Sequence, residues 1–386
     1  MQKLTATESE QILARIPWWR RVLYALIGMG MALLVLLVMA ELICRVLPVN
    51  EGLGTQPVNS SNPIYRFEAN RTSIWSRGWN FPITNRVHVN NEGFVNDQDY
   101  ATDGPRPLLA IVGDSYIEAA MVPYRETTQG RLAATLGSRG RVYSFAASGA
   151  GLTQYLAWAE YARDKFRPDL FVFLNISNDF SESLHHYGRS PGFHRFERLP
   201  DDSAEIRRAD YEPTSLRKLF RYSALAMYLI VNVKIEQVLK FDFQYFGADD
   251  KRWAANIPRD GTQQEYSDYQ WATRTFLDRL PAATGLPPDR IVVATEALRD
   301  AIYNPAERAA LTDSVWGRMR TYMADEARSR GFVVIDMHSV FAKAFAADGR
   351  RFEFPSDTHW NGHGHEMLAD AIRKTDAFAS LFGSGN

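Results

Sequence analysis

The feature that most constrains the fold is a series of short apolar segments separated by longer segments with helical periodicity. We predict strands for the five apolar segments Leu108–Val112, Val142–Phe145, Leu170–Ile176, Ile291–Thr295 and Phe332–Asp336. We predict helices over about 127–136, 153–166, 305–330 and 364–378. Strands that are apolar on both faces are typical of a parallel sheet that helices cover on both sides. The pattern therefore predicts an α/β protein, a three-layer α/β/α sandwich around a central parallel sheet.

The composition is that of an ordinary folded protein. Of the 386 residues, 46% are hydrophobic and 23% are charged, which excludes a disordered or low-complexity chain. The 44 basic and 45 acidic residues give a net charge of −1. This balance argues against a nucleic-acid partner, because phosphate neutralisation needs a basic surface. The single cysteine, Cys44, excludes an intrachain disulfide and a cysteine-based zinc site.

The N-terminal region contains a stretch that could cross a membrane. Residues 22–40 carry no charge, and a helix needs about 20 apolar residues to span a bilayer core. Residues 1–21 contain four basic side chains, whereas residues 45–65 contain only Arg45, which predicts a cytoplasmic N-terminus. A cleaved signal peptide is the alternative, although its apolar part normally has about 7–15 residues. We therefore predict a single-pass protein of the inner membrane, with the remaining chain in the periplasm or outside the cell.

The chain divides into four regions on this basis. We predict a cytoplasmic tail over 1–21, a transmembrane anchor over 22–42, a tether and lead-in over 43–104, and a folded domain over 105–386. Residues 181–265 interrupt the alternation of strands and helices with charged loops and one helix-like segment over 216–239. We interpret 181–265 as a cap inserted beside the site. A segment that lies on the membrane surface is the alternative, because its apolar centre is too short to span a bilayer.

Polar residues that can carry chemistry follow the predicted strands or precede the last helix. These segments are Gly113-Asp114-Ser115, Ser148-Gly149-Ala150-Gly151, Asn178-Asp179 and Asp357-Thr358-His359-Trp360-Asn361. Ligands of open parallel sheets bind beyond the carboxyl ends of the strands, so we expect these segments to form one site.

The residue types in these segments are those of an acyl-transfer site. Ser115 can act as nucleophile if a base removes its proton, and the imidazole of His359 suits that role near neutral pH. A carboxylate on the other ring nitrogen fixes the tautomer, and Asp357 is the nearest candidate. An oxyanion needs preorganised donors, which the backbone N–H groups of Ser115 and Gly149 and the amide of Asn178 could supply.

These blocks resemble those of the SGNH hydrolase (GDSL lipase/esterase) superfamily. Ser115, Gly149, Asn178, Asp357 and His359 occur in the order of the family's blocks. Ile176 stands where the family usually has Gly, and the family's usual Asp-x-x-His is Asp-x-His here. That shorter spacing is similar to the Asp-Thr-His motif of polysaccharide O-acetyltransferases, in which the motif precedes the serine.

The resemblance implies a serine esterase with an SGNH/flavodoxin-like fold and an acyl-serine intermediate. Its expected substrates are acylated carbohydrates of the envelope or of secreted glycans. Two alternatives stay open: a polysaccharide O-acetyltransferase that works with a polytopic membrane acyl donor, and a non-catalytic glycan-binding or assembly protein. No cofactor is predicted. No metal is predicted either: Asp357, His359, His363 and His365 are suitable ligand types, but two glycines disfavour the helix that would align them.

Overall fold

The computed structural model describes residues 17–188, 190–235, 253–254, 257–258 and 261–383. In chain order, the elements of the first half are α1 Trp18–Val46, β1 Arg71–Arg77, β2 Ile83–Val89, β3 Leu108–Gly113, α2 Ser115–Glu118, α3 Thr128–Leu136, β4 Arg141–Ala146, α4 Leu152–Phe166, β5 Leu170–Asn175, α5 Asn178–Glu182, β6 His194–Arg198, β7 Ala204–Arg208, α6 Ser215–Phe220 and α7 Ala224–Met227. The elements of the second half are β8 Trp253–Ala254, β9 Ile257–Pro258, α8 Gln263–Thr284, β10 Ile291–Thr295, α9 Arg299–Tyr303, α10 Arg308–Asp313, α11 Val315–Ser329, β11 Val333–Asp336, α12 Met337–Asp348, β12 Glu353–Phe354, β13 Asp357–Trp360, α13 Gly362–Arg373 and α14 Asp376–Phe382.

The five predicted core strands form one parallel sheet in the order β11-β10-β5-β3-β4. Numbered within the sheet, this order is 2-1-3-4-5, which is the flavodoxin-like arrangement. The predicted α/β class with a central parallel sheet is therefore confirmed. The predicted helix over 305–330 is wrong as a single helix, because Ser314 separates α10 from α11 and caps α11 through a hydrogen bond from the Gly317 N–H.

Helices cover both faces of the sheet because alternate residues of each strand point to opposite sides. Phe171 and Phe173 of β5 belong to a core cluster that includes residues of α4, α8 and α11. Val172 and Leu174 belong to a second cluster that includes residues of α3, α12, α13 and α14. The two clusters fill the spaces between the central sheet and the helical layer on each of its faces.

The region predicted as a tether packs on the domain. Val58 and Phe67 are buried, and Val58 forms an isolated bridge with Tyr211 of the insertion. Strands β1 and β2 form an antiparallel hairpin, in which the Asn85 amide donates hydrogen bonds to the carbonyls of Ala120 and Val122. Residues 49–66 are rich in Pro, Asn, Ser and Gly, which is typical of a tether, but the apolar residues between them reach the core.

The insertion contains a β6–β7 hairpin and the short helices α6 and α7. The predicted helix over 216–239 is broken after Phe220, and its part beyond residue 235 lies outside the described residues. Helix α7 packs on the end of α1, where Cys44, Val49 and Met227 share a small buried cluster. The insertion is thereby joined to the C-terminal end of the apolar helix.

Helix α1 contains the predicted anchor. It has 29 residues, its side chains are almost all exposed, and it is the one helix among the described residues that is long and apolar enough to cross a membrane. By length and composition it could serve as a signal anchor or a membrane span.

Candidate active site

Three of the predicted site residues come within a few residues after the carboxyl ends of neighbouring strands. Ser115 is the first residue of α2 after β3, Gly149 lies in the loop after β4, and Asn178 is the first residue of α5 after β5. Because β3 pairs in parallel with both β4 and β5, the carboxyl ends of these strands lie side by side. The strand order reverses between β3 and β5, which is where ligands bind in such sheets.

The structure brings Ser115, His359 and Asp357 into one hydrogen-bonded chain. His359 Nε2 lies 2.8 Å from Ser115 Oγ, and His359 Nδ1 lies 2.6 Å from Asp357 Oδ1. Asp357 and His359 are two residues apart on β13, so their side chains point to the same side of the strand. The short Asp-x-His spacing is therefore compatible with contact between the carboxylate and the imidazole.

Arg77, at the end of β1, completes the environment of Asp357. Its Nη1 lies 2.6 Å from Asp357 Oδ2, and the Asp357 side chain is fully buried. Burial alone would raise the pKa of Asp357, but the hydrogen bond from His359 and the charges of His359 and Arg77 lower it to about 2. Sequence reasoning missed Arg77, since it lies 280 positions from Asp357 in a segment without any motif.

Asp114 shapes the turn that presents Ser115. Its carboxylate accepts hydrogen bonds from the Tyr116 N–H at 2.9 Å and from Ser115 Oγ at 3.0 Å. It thereby caps α2. Gly113 allows the close turn, because a Cβ there would lie 2.5 Å from Ile117 Cγ1. The Ser115 hydroxyl consequently lies within reach of both the imidazole and the Asp114 carboxylate.

A buried ionic network holds the strand that carries Asp357 and His359. Arg299 donates to the Thr358 carbonyl at 2.7 Å, and its guanidinium pairs with Glu296 at 2.8 Å and Glu353 at 3.0 Å. The Tyr116 hydroxyl donates to the same carbonyl at 3.0 Å. This network was also missed by sequence reasoning. A usable signal exists, because Glu296 directly follows the buried strand β10 and Arg299 comes three residues later.

The loop that contains Gly149 is held by Glu118. The N–H and hydroxyl of Ser148 both donate to Glu118 Oε2, and Gly149 adopts φ +82°, a conformation that favours glycine. Glu118 is buried, and this burial raises its pKa to about 7 against the opposing effects of the Ser148 hydrogen bonds and the nearby His359. A carboxyl group of the core thus fixes the backbone beside Gly149.

Asp179 plays a similar part beside Asn178. Its buried carboxyl group accepts hydrogen bonds from the Ile176 N–H and the Tyr155 hydroxyl, each at 2.8 Å. Burial raises its pKa well above the ordinary value. Ile176, which stands where the resembling family has glycine, is itself buried. The Asp179 carboxyl group thus fixes the turn between β5 and α5, and this turn contains the half-buried Asn178.

The other histidines of the motif lie apart from this chain of contacts. His365 lies within hydrogen-bond distance of Thr128, and burial lowers its pKa to about 3. His363 stacks on Phe352 and lies near Glu366. Among the described residues no group of three or more His, Cys, Asp or Glu side chains is arranged to hold a metal ion.

A cavity of about 610 Å³ lies beside Glu118 and Ser148. Phe67 and Trp75 of the lead-in contribute to its apolar wall, and Leu216 and Phe220 of α6 border its insertion side. Its volume is within the usual range for a small-molecule site. The insertion thus forms one side of an open cavity next to the loop that contains Gly149.

Comparison with known proteins gives only remote similarities. No family model and no curated protein matches the sequence. Among solved structures, the chain is similar to an alpha/beta hydrolase enzyme from the metagenome of Lake Arreo, Spain. The two sequences are 15% identical, the match covers 74% of this chain and 99% of that chain, and the TM-score is 0.37. A member of the lipolytic G-D-S-L family from Veillonella parvula has 11% identity, coverage of 70% and 97%, and a TM-score of 0.37. An acetylxylan esterase from Geobacillus stearothermophilus has 12% identity, coverage of 71% and 96%, and a TM-score of 0.36.

Proposed function

We propose that the chain is a membrane-anchored serine esterase of the SGNH type that acts through an acyl-serine intermediate. The observation that carries this proposal is the hydrogen-bonded chain from Ser115 through His359 to Asp357, with contacts of 2.8 and 2.6 Å. The arrangement has the geometry of a nucleophile, a base and a group that orients the base. The order of the sequence blocks supports the same family independently.

In the proposed mechanism Ser115 Oγ attacks the ester carbonyl carbon while its proton passes to His359 Nε2. Collapse of the tetrahedral intermediate breaks the ester bond, and the leaving alcohol takes that proton. Water or a sugar hydroxyl then attacks the acyl-serine, gives its proton to His359, and Ser115 regains it when the acyl group leaves. Asp357 keeps Nδ1 protonated and stabilises the imidazolium, because its lowered pKa leaves it ionised at working pH.

The proposed oxyanion site consists of the N–H groups of Ser115 and Gly149 and the amide of Asn178. Their placement after three adjacent strands supports this role, as do the hydrogen bonds of Glu118 and Asp179 that hold the two loops. Rigid donors of this kind stabilise the charge that develops on the carbonyl oxygen without reorganisation.

The proposed substrates are acylated carbohydrates on the outer side of the membrane. This assignment depends on the motif resemblance and on α1 as a retained anchor with a cytoplasmic N-terminus. The proposed division is a tail over 1–21, the anchor over 22–42, the tether and lead-in over 43–104, and a catalytic domain over 105–386 with a cap insertion at about 181–265. Transfer to a sugar hydroxyl, with a polytopic membrane partner as acyl source, requires the same residues as hydrolysis.

The test uses the full chain in detergent and an activated acetyl ester. We expect Ser115→Ala and His359→Ala each to abolish turnover. The controls Ser339→Ala, at an exposed position, and His88→Ala, at a half-buried position of β2, should retain it. Retained turnover in Ser115→Ala would refute the mechanism. Addition of a glycan acceptor separates the two reactions: appearance of acyl glycan favours transfer, and release of free acid alone favours hydrolysis.

A further inference from the structure

The segment from Ser215 to Tyr222, which we call the 215–222 surface, exposes large apolar side chains. Leu216 is 58% exposed, Leu219 63%, Phe220 41% and Tyr222 79%. Leu216, Leu219 and Phe220 have the i, i+3, i+4 spacing that places them on one face of α6. An exposed apolar cluster of this kind marks an interaction site.

The structure places this surface at the end of the apolar helix. Glu41 of α1 accepts hydrogen bonds from the Ser223 hydroxyl at 2.8 Å and from the Ala224 and Leu225 N–H groups at 3.1 and 2.9 Å. Arg45 donates to the Tyr222 carbonyl at 3.0 Å. The residues directly after the 215–222 surface are thus bound to the last turns of α1.

The length of α1 sets the depth of these contacts in a bilayer. The uncharged stretch from Val22 to Ala40 is about 28 Å long at 1.5 Å per residue, which matches a hydrocarbon core of about 30 Å. Glu41 follows directly, so its carboxylate lies at the boundary of the core, and Arg45 lies about 6 Å farther out. Tyr222 and Ser223, which contact these two side chains, therefore lie at the depth of the lipid headgroups.

The charge of the segment fits the same environment. Residues 215–222 contain three basic residues and no acidic residue. Arg221 pairs with Glu68 at 3.3 Å, and Lys218 pairs with Glu212 at 3.2 Å in an exposed contact, so Arg217 and Lys218 are the basic side chains that lipid can reach. A short helix with an apolar face and basic side chains elsewhere is typical of segments that lie in the interface of a bilayer. Tyr222 is an aromatic residue of the type enriched at headgroup level.

We propose that the 215–222 surface docks into the headgroup layer of the bilayer that α1 crosses. The apolar face enters the acyl boundary, and the exposed side chains of Arg217 and Lys218 bind anionic lipid phosphates. Arg221 does not take part, because it pairs with Glu68 and donates to the Gly52 carbonyl. Leu216 and Phe220 also border the cavity beside Glu118 and Ser148. Docking of the 215–222 surface on the bilayer therefore places this cavity at the membrane surface. The inference depends on α1 as a membrane span and not on the proposed ester chemistry.

The test measures lipid contact directly. The full chain with Cys44→Ser and Leu219→Cys is labelled with an environment-sensitive fluorophore and reconstituted into vesicles of phosphatidylethanolamine and phosphatidylglycerol that contain a headgroup-level nitroxide lipid. Ser138→Cys, an exposed position after α3 at the opposite edge of the sheet, is the matched control. Far-UV circular dichroism and cooperative denaturant unfolding report the folding of each variant, and neither depends on ester turnover.

We expect quenching by the nitroxide lipid to be at least several-fold stronger at position 219 than at position 138. Tyr222→Cys, at another highly exposed position, should behave like Leu219→Cys and covers a failure of either variant to fold. Equal quenching at 219 and 138 would overturn the proposal. Protection of 219 only after co-reconstitution of a second membrane protein would also overturn it, because the occupant would then be a protein.

Discussion

The buried carboxyl group of Glu118 makes the stability of the domain depend on pH. Its Oε2 accepts both hydrogen bonds from Ser148, which leaves Oε1 to carry a proton. Burial raises its pKa from the ordinary 4.5 to about 7, so the folded chain retains a proton that the unfolded chain releases. The contribution of protonated Glu118 to the free energy of unfolding is fully present below about pH 4.5 and is lost as pH rises through 7.

The size of this effect follows from the two pKa values. A pKa near 7 in the folded state and 4.5 in the unfolded state corresponds to about 3 kcal/mol, at about 1.4 kcal/mol per pH unit. Glu118→Gln removes the titration and keeps an oxygen that can accept from Ser148. As pH rises from 4 to 8, the wild type should therefore lose about 3 kcal/mol of its free energy of unfolding relative to the variant, which has no such titration.

The assay is denaturant unfolding of the full chain in detergent, followed by tryptophan fluorescence at several pH values. Glu160→Gln, on the exposed side of α4, controls for the loss of one carboxylate. A difference between Glu118→Gln and wild type that stays constant across this pH range would refute the reasoning. It would mean that water reaches the Glu118 carboxylate and that the hydrogen bonds from Ser148 do not hold the loop at Gly149 rigidly.

Three further substitutions test the contacts around the site. Arg77→Met removes the cation 2.6 Å from Asp357, so the pKa of Asp357 should rise. The acidic limb of the pH profile of kcat/KM should therefore move to higher pH. An unchanged profile would show that His359 alone keeps the carboxylate ionised. Asn178→Ala should lower kcat about 10²–10³-fold in steady-state assays, and a wild-type rate would exclude Asn178 as an oxyanion donor. Arg299→Met leaves Glu296 buried without its cation, and denaturant unfolding should show a loss of about 3–5 kcal/mol; a loss below about 1 kcal/mol would contradict the network.

The sheet could be predicted from the sequence because its strands are apolar on both faces and carry helices between them. The predicted strand over 291–295 has the same bounds as β10, and the other four agree within one residue at each end. The region 181–265 could not be predicted in the same way. Its short helices depend on contacts with α1 and the lead-in, such as the hydrogen bonds to Glu41, and a local pattern does not contain such contacts.

The candidate site was partly visible because its residues follow the ends of consecutive strands. Ser115 and His359 could be paired by their chemistry, and the structure places their side chains within hydrogen-bond distance. Arg77 could not be paired with Asp357 from the sequence, since nothing local marks an ion pair across 280 positions. The support of the Gly149 loop by Glu118 depends on tertiary packing in the same way.

The central claim is that Ser115 carries the acyl group during turnover. Rapid quenching of the full chain after mixing with an activated acetyl ester, followed by peptide mass spectrometry, tests it most directly. We predict one acetyl group on Ser115 in the wild type and none at this position in His359→Ala within the same time. Turnover without acetylation of Ser115, or acetylation of another residue at the rate of turnover, would contradict the account.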